Sequence, residues 1–402
     1  MKYATPQSFR AALEERQKRR ATDAGLPFDR IAQIDLYFRL MDRVLKELGN
    51  GVLVKGGIAL ELRLQRARTT GDIDLRAAGD PAKLLERLRR AGKLDLGDFL
   101  SFDVDERTDV DRIDGDGVIY EGKRLWVQAF FAGKPYRQRF RLDVAFGDPL
   151  VGAPDEIEAP DALSFINIPP PKVPLYPVGT HLAEKVHAYT LPRKTVNSRM
   201  KDLIDMALVA AEAHMQPFPT KIRAAIVREA LETTFGFRKT HDLPSNVPPP
   251  PEQWSSRYPR EKDLNDLPWA TIADVHAEAA RFLDPVLARS AVGTWEPNTR
   301  TWVAPAMGDL DEMIDVIIGA LGRHDDAPVL EVKLLSRTDM QTLQSLEGNV
   351  ERQNRVAVRI AEILAKRPSV TRVIVLGGGL RHDIPLTAPD VHVPLRSGER
   401  LI

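Results

Sequence analysis

The chain has no cysteine in its 402 residues. That excludes disulfide staples, a cysteine nucleophile and thiolate metal sites. Neither sign of charge is in surplus, since Lys plus Arg and Asp plus Glu each number 57. Bulk electrostatics therefore announce no nucleic-acid partner, and any such surface has to be a local patch. No run of about 18 apolar residues is present, the length that a membrane-spanning helix requires. The N-terminal stretch MKYATPQSFRAALEERQKRR lacks the apolar core of a secretory leader. These absences lead us to expect a cytoplasmic protein with no membrane partner. What is present is a hydrophobic content of 43%, enough for a sizeable core, in a chain long enough for two or three domains.

Periodicity divides the chain. In Asp29–Leu48 the residues Ile31, Ile34, Tyr37, Phe38, Met41, Val44, Leu45 and Leu48 recur at three- and four-residue steps, one face of a helix, with Asn50-Gly51 as its stop. The preceding Arg10–Arg20 segment reads as a solvated helix face. Strands are expected at Gly51–Lys55 and Gly71–Arg76, with a helix at Ile58–Leu64 between them and another at Pro81–Ala91. From Phe99 to Phe146 short β-rich runs follow, at Phe99–Val104, Gly117–Glu121, Leu125–Phe131 and Phe140–Phe146. The proline-rich 150–178 stretch reads as a surface linker, and helices are expected at Thr180–Thr190, Ser198–Ala213, Lys221–Thr233 and Asp274–Ala288. Residues 241–260, with Pro248–Pro251, read as an exposed loop. The fold class is α+β: a mixed sheet with helices over 1–150, a helical domain over 151–290 completing the site, and a small α/β unit over 291–402.

The chemistry concentrates in Val54-Lys55-Gly56-Gly57-Ile58-Ala59-Leu60 and in the R-A-R-T-T-G-D-I-D-L run that ends at Leu75. On a strand, Asp72 and Asp74 point to one face while Ile73 and Leu75 point into the core. Paired carboxylates repel unless a cation neutralises them, and Mg2+ takes hard oxygen ligands while leaving positions for phosphate. Gly56 and Gly57 ahead of a helix let a triphosphate approach the backbone at the positive end of the helix dipole. Arg68 is a candidate to offset phosphate charge. Asp143, in a strand between Leu142 and Val144, is costly to bury without a partner and is the candidate third metal ligand. Otherwise it is an edge-strand aspartate facing solvent, or a partner for Arg141. Farther on, Lys185, Asp202 and Asp205 lie in helices. Without context they read as an ordinary ion-pair network with Arg199 on an exposed helix.

The pattern K-G-G-x-A-L, then R-x-T-x-D-I-D-L, then E-K and R-x-K-D-L-x-D resembles the AbiEii/AbiGii family of nucleotidyltransferase toxins from toxin–antitoxin and phage-defence (abortive infection) systems. The resemblance runs from about Asp29 to Leu287 and takes in Trp254, Tyr258 and the Phe282-Leu283-Asp284-Pro285 run. It implies a nucleotidyltransferase-type sheet, and Asp72 and Asp74 as ligands of a catalytic metal. It places Lys185 at the nucleotide phosphates and makes Asp202 essential, with Asp205 a neighbour. It further implies NTP and Mg2+ as co-substrate and cofactor, RNA as acceptor (the 3′ end of a tRNA), and a cognate antitoxin as partner. Members commonly carry Ser or Thr beside the glycines, where this chain has Gly57 and Ile58. Basic patches for the acceptor are Arg63–Arg68, Arg87–Lys93 and Arg193–Lys201. Two other classes stay open: a small-molecule, antibiotic-type nucleotidyltransferase, and a non-catalytic interaction protein on this scaffold. In the C-terminal unit, Glu331 and Lys333 with Asp309, Asp311 or Asp315 have a D…E-x-K spacing found in nucleases, although salt-bridged strand surface explains it as well. The glycines Gly377-Gly378-Gly379 lack the spacing of a nucleotide loop.

Overall fold

The computed structural model describes residues 3, 5–64, 70–78, 80–106, 112–115, 118–213, 221–303, 329–333, 372–377 and 380–385. Helix α1 (Pro6–Ala24) starts where Thr5 caps the Ser8 amide and ends on Gly25 at φ 63°, a left-handed turn that glycine adopts without strain. Its solvated face is real, but Phe9, Leu13, Gln17 and Ala21 recur every fourth residue and are buried. Helix α2 (Phe28–Leu48) buries its apolar face as expected, and it also buries Arg39, Asp42 and Arg43. Arg39 and Arg43 converge on Asp98 at 2.7 and 2.6 Å. Buried charges of this kind persist only when paired.

Strand β1 (Val52–Lys55), helix α3 (Gly56–Leu64), strand β2 (Asp72–Ala77) and helix α4 (Pro81–Lys93) follow. The β-rich stretch forms β3 (Leu100–Glu106), β4 (Arg112–Gly115), β5 (Val118–Phe131) and β6 (Lys134–Ala145). Two of the short runs expected there fuse into the single long β5. The 150–178 segment is more than a surface linker, because it contributes β7 (Asp155–Glu158) and β8 (Lys172–Leu175) to the sheet. Pro174 is tolerated because β8 touches β1 at one register position, Val54 with Leu175, so few ladder bonds are lost. The eight-stranded sheet runs β3-β5-β6-β2-β1-β8-β7, with β4 on β5. Strand β2 lies parallel to β6 and antiparallel to β1.

Five helices come next: α5 (Val178–Thr190), α6 (Met200–Glu212), α7 (Ala224–Arg238), α8 (Trp254–Asn265) and α9 (Ile272–Leu287). The exposed loop expected over 241–260 is only partly one. Trp254 and Tyr258 begin α8 and are 1% exposed, and the Trp254 indole donates to the Asn197 carbonyl. Helix α3 is the hinge of the packing. Its Ile58, Ala59 and Leu62 join the core of the sheet, while Leu60 and Leu64 join the core of α5–α9. The strands β9 (Thr294–Glu296) and β10 (Thr301–Val303) pair with each other, and β11 (Val329–Lys333), β12 (Arg372–Gly377) and β13 (Leu380–Pro385) form a small sheet. Asp309, Asp311, Asp315, Gly378 and Gly379 lie outside the described residues. No helix among the described residues is long and apolar enough to cross a membrane.

Candidate active site

Strand β2 alternates as its sequence demands. Ile73 and Leu75 are buried at 0% and 1% exposure, and Asp72 and Asp74 face the other way. Register then assembles a row across the sheet. Lys55 of β1 stands opposite Asp74, Asp74 beside Asp143 of β6, and Asp143 opposite Arg124 of β5. Strand β6 is flanked by β5 and β2, so Asp143 is an interior-strand residue and not an edge one. Its partner is Arg124, at 2.9 Å. Arg141 instead pairs with Asp72, at 2.8 Å.

Gly56 links β1 directly to α3 with φ 66°, and a Cβ at that position would overlap the Asp74 carboxylate. Glycine is thus required twice over, by the backbone turn and by the close approach. The N-terminus of α3 consequently opens beside the carboxylates.

Helix α5 presents His181, Glu184, Lys185 and Ala188 to the same cleft of about 390 Å³. Lys185 reaches Asp202 at 2.9 Å and Asp205 at 2.7 Å, with the three side chains 11%, 11% and 0% exposed. The ion-pair network is therefore buried, and the exposed-helix reading of these residues is wrong. On the other side, Lys55 lies 3.2 Å from both Asp148 and Glu184. Glu184 also accepts from the Tyr176 hydroxyl at 2.9 Å and stands 3.4 Å from Arg238. Arg238 in turn lies 3.3 Å from Nδ1 of His187. Burial, Arg238 and His241 together push the His187 pKa down to about 3, so the ring is neutral and Nδ1 is free to accept.

Electrostatics single out Asp74. Burial first, then the neighbouring charges of Asp72 and Asp143, push its carboxyl up to about 7 against the opposing pull of Lys55 and Lys185. A buried carboxyl raised by desolvation and by like-charged neighbours is a candidate functional group. Among the described residues no group of three or more acidic or histidine side chains is closed up as a metal cage. Asp72 and Asp143 instead hold Arg141 and Arg124. Carboxylate oxygens are hard donors, the chemistry that divalent ions take.

The structure thus brings Asp72, Asp74, Asp143, Lys185, Asp202, Gly56 and Gly57 into one cleft. Arg68 lies outside the described residues. Sequence reasoning missed Lys55, Arg124, Arg141, Glu184 and Arg238, which line the same cleft. Strand alternation with Leu125, Leu142 and Val54 carried a signal for the first three, whereas nothing local marks Arg238. Of the basic patches, Arg63 is fully buried on Asp155 and the Tyr176 carbonyl, and Arg87 and Arg90 bond to Glu47. Arg199 and Lys201 do line the cleft.

The family model described as "Nucleotidyl transferase AbiEii toxin, Type IV TA system" matches residues 39–290. The chain belongs to this family. No curated protein matches it. Several solved structures align with the chain, the following two among them. JHP933 from Helicobacter pylori is 16% identical, with 64% of this chain and 92% of that one covered and a TM-score of 0.38. MenT4, a nucleotidyltransferase toxin from Mycobacterium tuberculosis, is 18% identical, with 68% and 98% covered and a TM-score of 0.40. The assignment to the AbiEii family rests on the family match. In this AbiEii-family chain Thr70 packs against Gly57. A Cβ on Gly57 would come within 2.8 Å of the Thr70 Cβ, and the Thr70 hydroxyl donates to Asp72 at 2.6 Å.

Proposed function

We propose that this AbiEii-family chain transfers a nucleoside monophosphate from an NTP to a hydroxyl of an RNA acceptor, the 3′ end of a tRNA, and that a cognate antitoxin restrains it. The observation that carries this reading is the convergence of Asp72, Asp74 and Asp143 on one sheet face opposite Lys185, with the α3 N-terminus between them. In the reaction the acceptor hydroxyl loses its proton to solvent water, its oxygen forms a bond to the α-phosphorus, the bond from that phosphorus to the β-phosphate oxygen breaks, and pyrophosphate leaves. A divalent cation, Mg2+ by its preference for carboxylate and phosphate oxygens, would be held by Asp72, Asp74 and Asp143 and would supply charge neutralisation and a lower pKa for the attacking hydroxyl.

The chain's own groups do the rest. Backbone amides at Gly56 and Gly57 approach the phosphates without side chains in the way. Lys185 offsets the charge that builds on the phosphates in the transition state. Asp202 and Asp205 hold its ammonium in place. With its carboxylate on Lys185 at 2.9 Å, Asp202 is better suited to orienting that lysine than to acting as a base. Arg124 and Arg141 are paired with Asp143 and Asp72, and with a cation held by those carboxylates their guanidinium groups would be available to phosphate oxygens.

Growth tests this reading. Expression of the intact chain alone should arrest a bacterial culture, and Asp74→Ala should relieve the arrest. An Asp74→Ala protein that accumulates to the same level and arrests growth equally would overturn it.

A further inference from the structure

We propose that the open face of β5 and β6 beside the cleft is a platform for the single-stranded end of the polynucleotide acceptor, with Trp126 stacking on a base and Arg139 and Arg141 meeting its phosphates. The proposal rests on the RNA-acceptor reading above and extends it to a specific surface.

The register places this surface. Asp72 pairs with Arg141 and Arg141 with Trp126, so the three form the row next to the one that holds Asp74 and Asp143. Neighbouring strands are ~4.8 Å apart, which puts Trp126 roughly 10 Å from Asp72. That is a short reach for a strand whose terminal hydroxyl meets the carboxylates.

The burial pattern shows that Trp126 is not there for the core. Its neighbours Leu125 and Val127 are 0% exposed on the opposite face, whereas Trp126 is half-buried. Trp254, Trp295 and Trp302 each anchor their indole N–H on a backbone carbonyl, those of Asn197, Ala210 and Phe282. Trp126 instead carries the Arg139 guanidinium 4.8 Å from its ring centroid. Arg139 is exposed and forms no ion pair among the described residues. An aromatic face next to an unneutralised arginine is a combination that binds single strands, by stacking and by phosphate contact and with little regard to base identity.

Charge on the two lips of the cleft agrees. Arg124 and Arg141 stand on the sheet side, and Arg199 and Lys201 stand opposite. The row has two acidic members, Asp72, which pairs with Arg141, and Asp105 on the outer strand β3, with Arg89 at 3.8 Å from it. The bland alternative is a surface cation–π pair with no ligand.

The test compares wild type, Trp126→Ala, Trp126→Phe and Arg139→Ala for binding and nucleotide transfer. The RNA probes are a labelled duplex with a single-stranded 3′ tail and the same duplex with a blunt end. Trp126→Ala should weaken binding of the tailed RNA and raise its KM about ten-fold or more, while the KM for NTP holds. Trp126→Phe, which keeps an aromatic face, should retain most of the affinity. Arg139→Ala should weaken binding several-fold and flatten its salt dependence by about one phosphate contact. Thermal melts identify any variant that fails to fold, and in that case Trp126→Phe and Arg139→Ala carry the comparison. Wild-type affinity and KM in both Trp126→Ala and Arg139→Ala would overturn the platform. If wild type binds the tailed RNA in a Trp126-dependent way yet adds no nucleotide to it, the platform stands and the transfer reading fails. If wild type neither binds nor modifies RNA, both fall.

Discussion

Replacing Lys185 by methionine separates structure from chemistry in this cleft. The substitution keeps most of the side-chain volume and removes the ammonium that sits 2.9 Å from Asp202 and 2.7 Å from Asp205. Asp202 keeps a second cation, Arg199 at 3.7 Å. Asp205, at 0% exposure, loses the ammonium and faces a methionine in its place. Removing one partner of a buried charge pair costs up to about 3–5 kcal/mol. The penalty has a ceiling, because the carboxyl can take up a proton instead. Protonating a group whose unfolded pKa is about 3.9 costs roughly 4 kcal/mol near pH 7 and about 1.5 kcal/mol near pH 5. The deficit of Lys185→Met relative to wild type should therefore be up to about 4 kcal/mol near pH 7, a fall in Tm of up to roughly 10 °C, and should shrink as the pH drops toward ~5. The sign follows from linkage. An acid whose folded pKa is raised destabilises above its unfolded pKa, and the penalty is relieved on acidification. The triple variant Lys185→Met/Asp202→Asn/Asp205→Asn also removes the two carboxylates that lost their ammonium and should regain most of the stability with none of the activity. Urea unfolding of the three proteins at two pH values measures this. A Lys185→Met protein as stable as wild type near pH 7, or a deficit that does not change with pH, would refute the reasoning.

Three further outcomes are expected. Gly56→Ala should lower nucleotide transfer about 100-fold, because its Cβ displaces the Asp74 carboxylate and a misplacement of about 1 Å in a reacting site costs that much; single-turnover kinetics read it. Thr70→Val should lower activity about ten-fold by removing the hydrogen bond to the Asp72 carboxylate, within the range for bonds to charged groups, and Thr70→Ser should restore it. His187, whose pKa is held near about 3 in the fold, takes up protons more readily when unfolded. Wild-type stability should then fall by up to about 1.4 kcal/mol per pH unit as pH drops from ~6.5 toward 4, and His187→Gln should flatten that part of the profile.

The strands of the site were legible because alternation is a local rule. Ile73 and Leu75 inward and Asp72 and Asp74 outward can be read from four residues, and Asp143 announces itself by standing between Leu142 and Val144. The helix face of α2 was legible for the same reason. Its buried Arg39 and Arg43 were not, since their partner Asp98 lies 59 and 55 residues away. The same holds for Lys55 with Asp148 and Glu184, separations of 93 and 129 residues. Such pairs exist only once the strand order is set, and periodicity carries no information about that order. Arg141 shows the limit well. Sequence adjacency offered it as a partner for Asp143, two residues away on its own strand. The pleat does place those two on one face, but each carboxylate takes the arginine standing across the ladder from it. The entry of β7 and β8 into the sheet was hidden by prolines, which normally argue against a strand and are accepted here where the pairing is brief.

We propose that Asp72 and Asp74 form the metal-dependent heart of a nucleotide transfer to RNA. The most direct test incubates the purified chain with tRNA and each α-labelled NTP in turn, with Mg2+ or with a chelator, beside an Asp72→Ala protein shown to be folded. Label should enter the tRNA from at least one NTP, and both the chelator and the Asp72→Ala substitution should abolish it. Label incorporation at the wild-type rate by Asp72→Ala, or undiminished in the chelator, would contradict the proposal.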